Sequence, residues 1–220
     1  PAGNVMSLDE WRTLFELSDQ YGFVIASDEC YSEIYFDEFN KPLGGMQAAA
    51  LLGRTTYDNL MCFSSLSKRS NVPGMRSGFV AGDASLIKQF LLYRTYQGGA
   101  ISPVVSQASI AAWNDEAHVV ENRRIYREKF EAVVPLLSPV LDVRWPDASF
   151  YLWAGTPYSA TDFARGLYSK AAVTVLPGSF LARPAHGVNP GANRIRIALV
   201  APKEQCIEAA HRIVNFLSQH

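Results

Sequence analysis

Long apolar runs, excess charge and patterned cysteines are all missing from this chain. No hydrophobic stretch in the 220 residues approaches the about 20 needed to cross a bilayer as a helix, so no membrane span is expected. Lys and Arg (20) nearly cancel Asp and Glu (21), for a formal charge of −1. No basic field is left to draw in nucleic acid or an acidic membrane. The three cysteines, Cys30, Cys62 and Cys206, are odd in number, widely spaced and without metal-ligand pattern. They read as buried, reduced thiols in a cytoplasmic setting. His118, His186, His211 and His220 include no pair at metal-ligand spacing and read as structural or exposed. No internal repeat or low-complexity tract is visible. What is present is 48% hydrophobic content, enough for one sizeable core or two smaller ones.

Helical and strand patterns alternate, which argues for an α/β fold with a mostly parallel sheet. Ser7 and Glu10 form a capping box, followed by Leu8, Trp11, Leu14 and Phe15 at helical spacing. That helix should end near Tyr21-Gly22. Phe23 to Ala26 and Leu60 to Phe63 are apolar runs of strand length. Asp28 and Tyr31 fall just past the first, and Ser65, Ser67 and Lys68 past the second. In open α/β sheets ligands bind outside the carboxyl ends of strands, so both clusters fall where a site would be built. Gly78 to Gly82 predicts a third strand, Asp83 caps the next helix, and Pro103 suits the first turn of another. A helix from about Glu116 to Leu137, read without a strong breaker, leads to a second, smaller domain. There Phe150 to Trp153, Val173 to Leu176 and Arg194 to Val200 predict strands. Thr161 to Lys170 predicts a helix, as does Pro202 to Leu217 with proline in its first turn.

Ser65-Leu66-Ser67-Lys68 followed by Pro73-Gly74-Met75-Arg76 carries the clearest chemistry. An amine forms a Schiff base only when its protonated form is destabilised, which burial and a neighbouring cation both achieve. Arg76 offers a permanently charged fork for a phosphate, and Ser65 and Ser67 add neutral donors. An aldehyde that carries a phosphate is pyridoxal phosphate, and its ring nitrogen needs an acidic partner, for which Asp28 is the candidate. Each residue has a plainer reading. Asp28 suits a strand-end turn, and Lys68 beside Arg69 suits a solvated basic pair. Arg194 and Arg196, two apart on a strand, face the same side, and a structural ion-pair partner is the plainer reading of either one.

At these residues the chain resembles the fold type I pyridoxal-phosphate enzymes, and within them the class I/II aminotransferases. Asp28-Glu29-Cys30-Tyr31 resembles the family's D-E-x-Y, which implies Asp28 on the pyridinium and the Tyr31 hydroxyl on the cofactor's phenolic oxygen. Ser65-Leu66-Ser67-Lys68 resembles S-x-S-K, which implies Lys68 as the Schiff-base lysine with Ser65 and Ser67 at the phosphate. Arg76 resembles the phosphate arginine. Arg194-Ile195-Arg196-Ile197-Ala198 resembles the segment that clamps the substrate α-carboxylate, a role assigned to Arg196 from the Ile197-Ala198 that follows it.

The resemblance implies an aspartate aminotransferase-like fold. Residues 1–130 would be the C-terminal part of the large cofactor-binding domain, and 131–220 a small α+β domain. The opening Pro1-Ala2-Gly3 looks like the family's N-P-x-G loop without its asparagine and is not a secretory signal. A C-terminal half of a larger enzyme is therefore expected, one inactive in isolation and a homodimer when whole. Transfer of an amino group between an amino acid and a 2-keto acid is the implied reaction. Tyr93 to Pro103 and Ala111 to His118 look like the succinyldiaminopimelate aminotransferases of bacterial lysine synthesis, with 2-oxoglutarate as the default acceptor. Aminotransferases for aspartate, alanine or aromatic amino acids, carbon–sulfur lyases of the same fold and aminotransferase-like regulator modules share these core motifs.

Overall fold

The computed structural model describes residues 2–219, so Pro1 of the opening loop and His220 lie outside the described residues. The chain divides into two compact units, residues 5–123 and residues 1–4 with 124–220.

The first unit is built on a three-stranded sheet in the order β1 (Ile25–Asp28), β2 (Leu60–Ser65), β3 (Gly78–Gly82). Helix α1 (Leu8–Tyr21) opens with the expected capping box: Ser7 accepts the Glu10 N–H while the Glu10 carboxylate accepts the Ser7 N–H. It closes at Gly22, whose φ of 70° is the left-handed conformation that glycine adopts without strain. Pairing of β1 begins at Ile25 rather than Phe23, so Asp28 is the last residue of the strand and not the first beyond it. Phe23 and Val24 are exposed and stay outside the pairing.

Strands β1 and β2 run parallel, with Asp28 opposite Phe63. Strand β3 runs antiparallel to β2, with Gly78 opposite Ser65, which departs from the mostly parallel expectation. A parallel return needs a crossover of a dozen or more residues. The link from β2 to β3, residues 66–77, is at the lower limit of that length and holds only the one-turn helix α3 (Leu66–Arg69) and a 3₁₀ turn at Pro73–Met75, with no crossover helix. Gly82, at φ 145°, lets β3 lie so close to β2 that a Cβ there would meet the Leu60 carbonyl oxygen at 1.9 Å.

Helix α2 (Gly45–Leu51) was not apparent in the sequence. With α1 and the sheet it closes a core of Trp11, Phe15, Ile25, Ala48, Ala49, Leu60 and Cys62. Helices α4 (Ala84–Gln97) and α5 (Pro103–Asn114) start as expected, capped by Asp83 and Ser102. No residue of α4 is buried.

Helix α6 (Ala117–Leu137) begins in the first unit and ends in the second, with Pro135 inside its last turn. A breaker is thus present where none was read. The carbonyl left without its usual N–H partner belongs to Glu131, an exposed position where water can take the bond. The second unit carries an antiparallel sheet in the order β4 (Tyr151–Gly155), β6 (Arg194–Ala198), β5 (Leu176–Pro177). Helices α7 (Ala160–Ala171) and α8 (Lys203–Ser218) complete it, with Pro202 as the N-cap of α8 rather than a first-turn residue. Phe130, Leu137, Leu152, Phe163, Ile195 and Ile213 form its buried interior.

The strand expected over Val173 to Leu176 is reduced to Leu176–Pro177. Ala172 terminates α7 in the left-handed conformation, and Val173 still donates back to the Leu167 carbonyl at 3.4 Å. The start of the apolar run therefore serves the helix end.

Candidate active site

Strands β1 and β2 end side by side, and of the residues singled out from the sequence Asp28, Tyr31, Ser65, Ser67, Lys68 and Arg76 lie at or just beyond that end, while Arg196 lies on β6 of the other unit. Asp28 closes β1 and is exposed. Its carboxylate accepts the Cys30 N–H at 3.2 Å and makes no ion pair among the described residues. Glu29, one residue on, faces a different task. It accepts the N–H of Gly45 at 2.7 Å and the Ser27 hydroxyl at 3.0 Å, so it holds the start of α2.

Lys68 lies in the single turn of α3 and is half-buried, its Nζ 5.9 Å from the centre of the Tyr31 ring. The β1 end and the lysine turn therefore meet in space although the residues are far apart in sequence. Cys30 lies among them. Its thiol is pushed up to about 11, chiefly by burial and then by its hydrogen bond to Asp28, so it stays protonated and is no thiolate nucleophile. Cys62 is likewise pushed up to about 12 by burial, with Glu29 adding to the effect.

Ser65 ends β2 and caps α3, accepting the Ser67 N–H at 3.0 Å. Its Oγ also lies 2.8 Å from Ser67 Oγ and 3.1 Å from the Ser77 carbonyl. One hydroxyl has one proton. For Ser65 to donate to a phosphate, that proton must leave the Ser77 carbonyl or Ser67. Arg76 sits two residues before Gly78, the partner of Ser65, and therefore at the same end of the sheet. It holds a left-handed conformation (φ 52°) and donates to the Pro73 carbonyl at 3.1 Å. Its side chain lines an open cavity of about 500 Å³ with Met75, Gly78, Arg94, Ile101 and Ser102 among the walls. Two guanidinium groups and the N-terminus of α5 give that cavity the character of an anion site. Arg94 was not singled out from the sequence as a ligand; the signal available was its place just before the Gln97-Gly98-Gly99 break. Neither Lys68 nor Asp28 lines this cavity.

The two arginines of β6 are separated by their partners in the second unit. Arg194 forms an ion pair with Asp142 at 2.9 Å. Arg196 makes no ion pair among the described residues and lies over the Tyr151 ring, 4.3 Å from its centre. Of the two, Arg196 is therefore the one whose guanidinium edge is available for a carboxylate.

Sequence reading missed a second shielded amine. Lys129 is 6% exposed, and its Nζ donates to the Leu199 carbonyl at 3.1 Å and the Val200 carbonyl at 3.4 Å. Burial holds its pKa below the ordinary lysine value. Those two carbonyls give this amine a tie at the end of β6 as its task. The contacts of Arg69 with the Ala112 carbonyl in α5 and of Ser70 with His118 in α6 were also invisible in sequence. Among the described residues no cluster of three or more His, Cys, Asp or Glu could hold a metal, and no helix is long and apolar enough to cross a membrane.

The donor set suits pyridoxal phosphate. It offers an amine just past a strand end, a carboxylate with no ion-pair partner among the described residues for a protonated ring nitrogen, and for a phosphate the Ser65 and Ser67 hydroxyls with Arg76 at the same end of the sheet. The architecture is that of the pyridoxal-phosphate-dependent transferases of the aspartate aminotransferase type. More closely, residues 1–213 match the family model for aminotransferases of class I and II, and the chain belongs to that family. Enzymes of this family use pyridoxal 5′-phosphate.

Among curated relatives, a probable aminotransferase of Mycobacterium tuberculosis is 32% identical over 214 residues, 97% of this chain and 49% of the relative. An LL-diaminopimelate aminotransferase of Maridesulfovibrio salexigens is 29% identical over 217 residues, 97% of this chain and 53% of its own length. The crystal structure of an aminotransferase from Neisseria meningitidis superposes with a TM-score of 0.93 at 61% identity, covering 98% of this chain and 55% of that one. The chain thus spans about half the length of the relatives it matches.

Proposed function

We propose that the protein is a pyridoxal-phosphate-dependent aminotransferase that moves an amino group between an amino acid and a 2-keto acid. The amino donor in this reading is N-succinyl-LL-diaminopimelate and the acceptor 2-oxoglutarate, in lysine biosynthesis. The observation that carries it is the half-buried Lys68 amine held 5.9 Å from the Tyr31 ring centre at the strand end that also bears Asp28. The diaminopimelate class of donor is supported by relatives named LL-diaminopimelate aminotransferases at 29% and 31% identity. The reading extends to a cytoplasmic homodimer. Supporting a partner surface, α4 leaves Leu91, Leu92 and Tyr96 more than half exposed.

When bound, pyridoxal phosphate supplies an aldehyde for covalent attachment and a ring that withdraws electrons. Lys68 would provide the amine for that attachment and, once the amino donor has displaced it, the freed amine would serve as general base at the substrate α-carbon and then as general acid. The Asp28 carboxylate would keep a proton on the ring nitrogen, and the Tyr31 hydroxyl would donate to the phenolic oxygen. Ser65, Ser67 and Arg76 hold the phosphate, the arginine through its bidentate fork. Arg196 binds the substrate α-carboxylate and so orients the bond to be broken.

The test is amino transfer to 2-oxoglutarate by the full-length protein, with N-succinyl-LL-diaminopimelate, LL-diaminopimelate, aspartate, alanine and tyrosine as donors and cystathionine as a lyase control. The reading expects glutamate formation, fastest with the succinylated donor. Pyruvate release from cystathionine without glutamate formation from any donor would refute it.

A further inference from the structure

Lys68 stands on a helix of one turn, and a turn that short has little stability of its own. Its surroundings therefore decide where the amine points. On the N-terminal side Leu66 donates its N–H to the Ser77 carbonyl at 3.1 Å, and Ser77 Oγ lies 2.8 Å from Ser109 Oγ of α5. The two residues that immediately follow Lys68 are tied more heavily. Arg69 is 6% exposed. It donates to the Ala112 carbonyl in the last turn of α5 at 2.8 Å, pairs with Glu116, and lies over the Trp113 ring at 5.0 Å. Ser70 Oγ lies 2.8 Å from His118 Nε2, whose Nδ1 is 2.6 Å from Asp115 Oδ2. The Asp115 carboxylate can only accept, so Nδ1 carries the proton, and in the neutral ring Nε2 accepts from the Ser70 hydroxyl.

We propose that Arg69 and Ser70 are positioning residues for Lys68: they lock the lysine-bearing turn onto the corner between α5 and α6 and so set the direction in which the amine is presented. The proposal rests on the reading of Lys68 as the reactive amine. Both heavy ties fall on the two positions next to the lysine. Arg69 meets a helix-end carbonyl, a carboxylate and an aromatic face with one planar group, a combination that an ammonium cannot reproduce. A tie of this kind fixes rotation of the turn about its axis, the motion that would swing Lys68 away from Tyr31.

The test uses the full-length protein and its Arg69→Lys, Ser70→Ala and Lys68→Ala variants. It measures the thermal midpoint, kcat and KM separately, and the pH midpoint of the visible absorbance of bound pyridoxal phosphate. For Arg69→Lys and Ser70→Ala the proposal expects retained cofactor and a kcat lowered about tenfold or more, with KM for the amino donor within about twofold. It also expects the pH midpoint to move by more than about half a unit. Unchanged kcat and pH midpoint in both variants, with Lys68→Ala inactive, would overturn the proposal and leave the aminotransferase reading standing. Loss of thermal stability with an unmoved pH midpoint would also overturn it, because that is a structural role alone. Should Arg69→Lys fail to fold, Ser70→Ala at its half-buried site decides by the same criteria. Full activity in Lys68→Ala would overturn both readings together.

Discussion

Replacing Arg123 by leucine is expected to loosen the segment that begins at Tyr31. Arg123 has a side chain only 5% exposed and reaches two carboxylates at once. Its Nη1 is 3.0 Å from Glu33 Oε2 and its Nε is 3.0 Å from Glu38 Oε1, with a further bond to the Glu33 carbonyl at 3.3 Å. The guanidinium also lies over the Tyr35 ring, 4.2 Å from its centre. Removing one partner of a buried ion pair costs about 3–5 kcal/mol. Glu33 and Glu38 keep 35% and 41% side-chain exposure, so water re-solvates them when the arginine goes. The lower end of that range, about 3 kcal/mol, therefore applies, and the lost ring contact of about 0.5–1 kcal/mol brings the total to about 3.5–4 kcal/mol. For 220 residues that corresponds to a fall of about 7–16 °C in the unfolding midpoint, and to about half as much in a chain twice as long. Circular dichroism melts of the full-length protein at constant cofactor concentration measure it. A fall of less than about 2 °C would refute the reasoning, because it would mean that the buried guanidinium contributes no more than an ordinary surface pair.

The remaining predictions concern the proposed site and the cap of α4. Asp28→Asn preserves size but removes the charge that keeps the ring nitrogen protonated; cofactor should stay bound while turnover falls by about a hundredfold or more, measured by absorbance and steady-state rate. Arg196→Lys should raise KM for the amino donor about tenfold or more, whereas Arg194→Lys, which disturbs the pair with Asp142, should change it little. The reverse order would exchange the roles of the two arginines. Asp83 is held at about 2 by the Ser85 hydroxyl, with the N–H of Asn59 the next contributor. Its folded value is depressed, so its contribution to stability is present above the ordinary carboxyl value of 3.8 and is lost as pH falls toward about 2. Urea midpoints followed across that window should drop less steeply in Asp83→Asn than in the unsubstituted protein.

Much of this arrangement was legible because it rests on local rules. The Ser7–Glu10 box, the Asp83 cap and Pro103 each satisfy a helix end from within a few residues, so short sequence windows contain the whole interaction. The apolar runs before Asp28 and Ser65 placed those residues at strand ends, although pairing starts two residues later than the run over Phe23 suggests. What escaped depends on contacts distant in sequence. Helix α2 has no side-chain cap of its own, and Glu29, sixteen positions earlier, accepts the N–H of Gly45 at its start. The antiparallel course of β3 follows from how residues 66–77 fold back, which no periodicity encodes. Val173 is spent on the end of α7 through a bond to Leu167, so its β-branched character misled the strand assignment. The Arg69–Glu116 pair spans 47 positions and left no local trace.

Lys68, and no other amine, is proposed as the covalent attachment point. Borohydride reduction of the full-length protein with bound pyridoxal phosphate, followed by peptide mass spectrometry, tests it most directly. Stable label is expected on the peptide containing Lys68, with its loss in Lys68→Ala. Label concentrated instead on Lys41, Lys88 or the shielded Lys129 would contradict it.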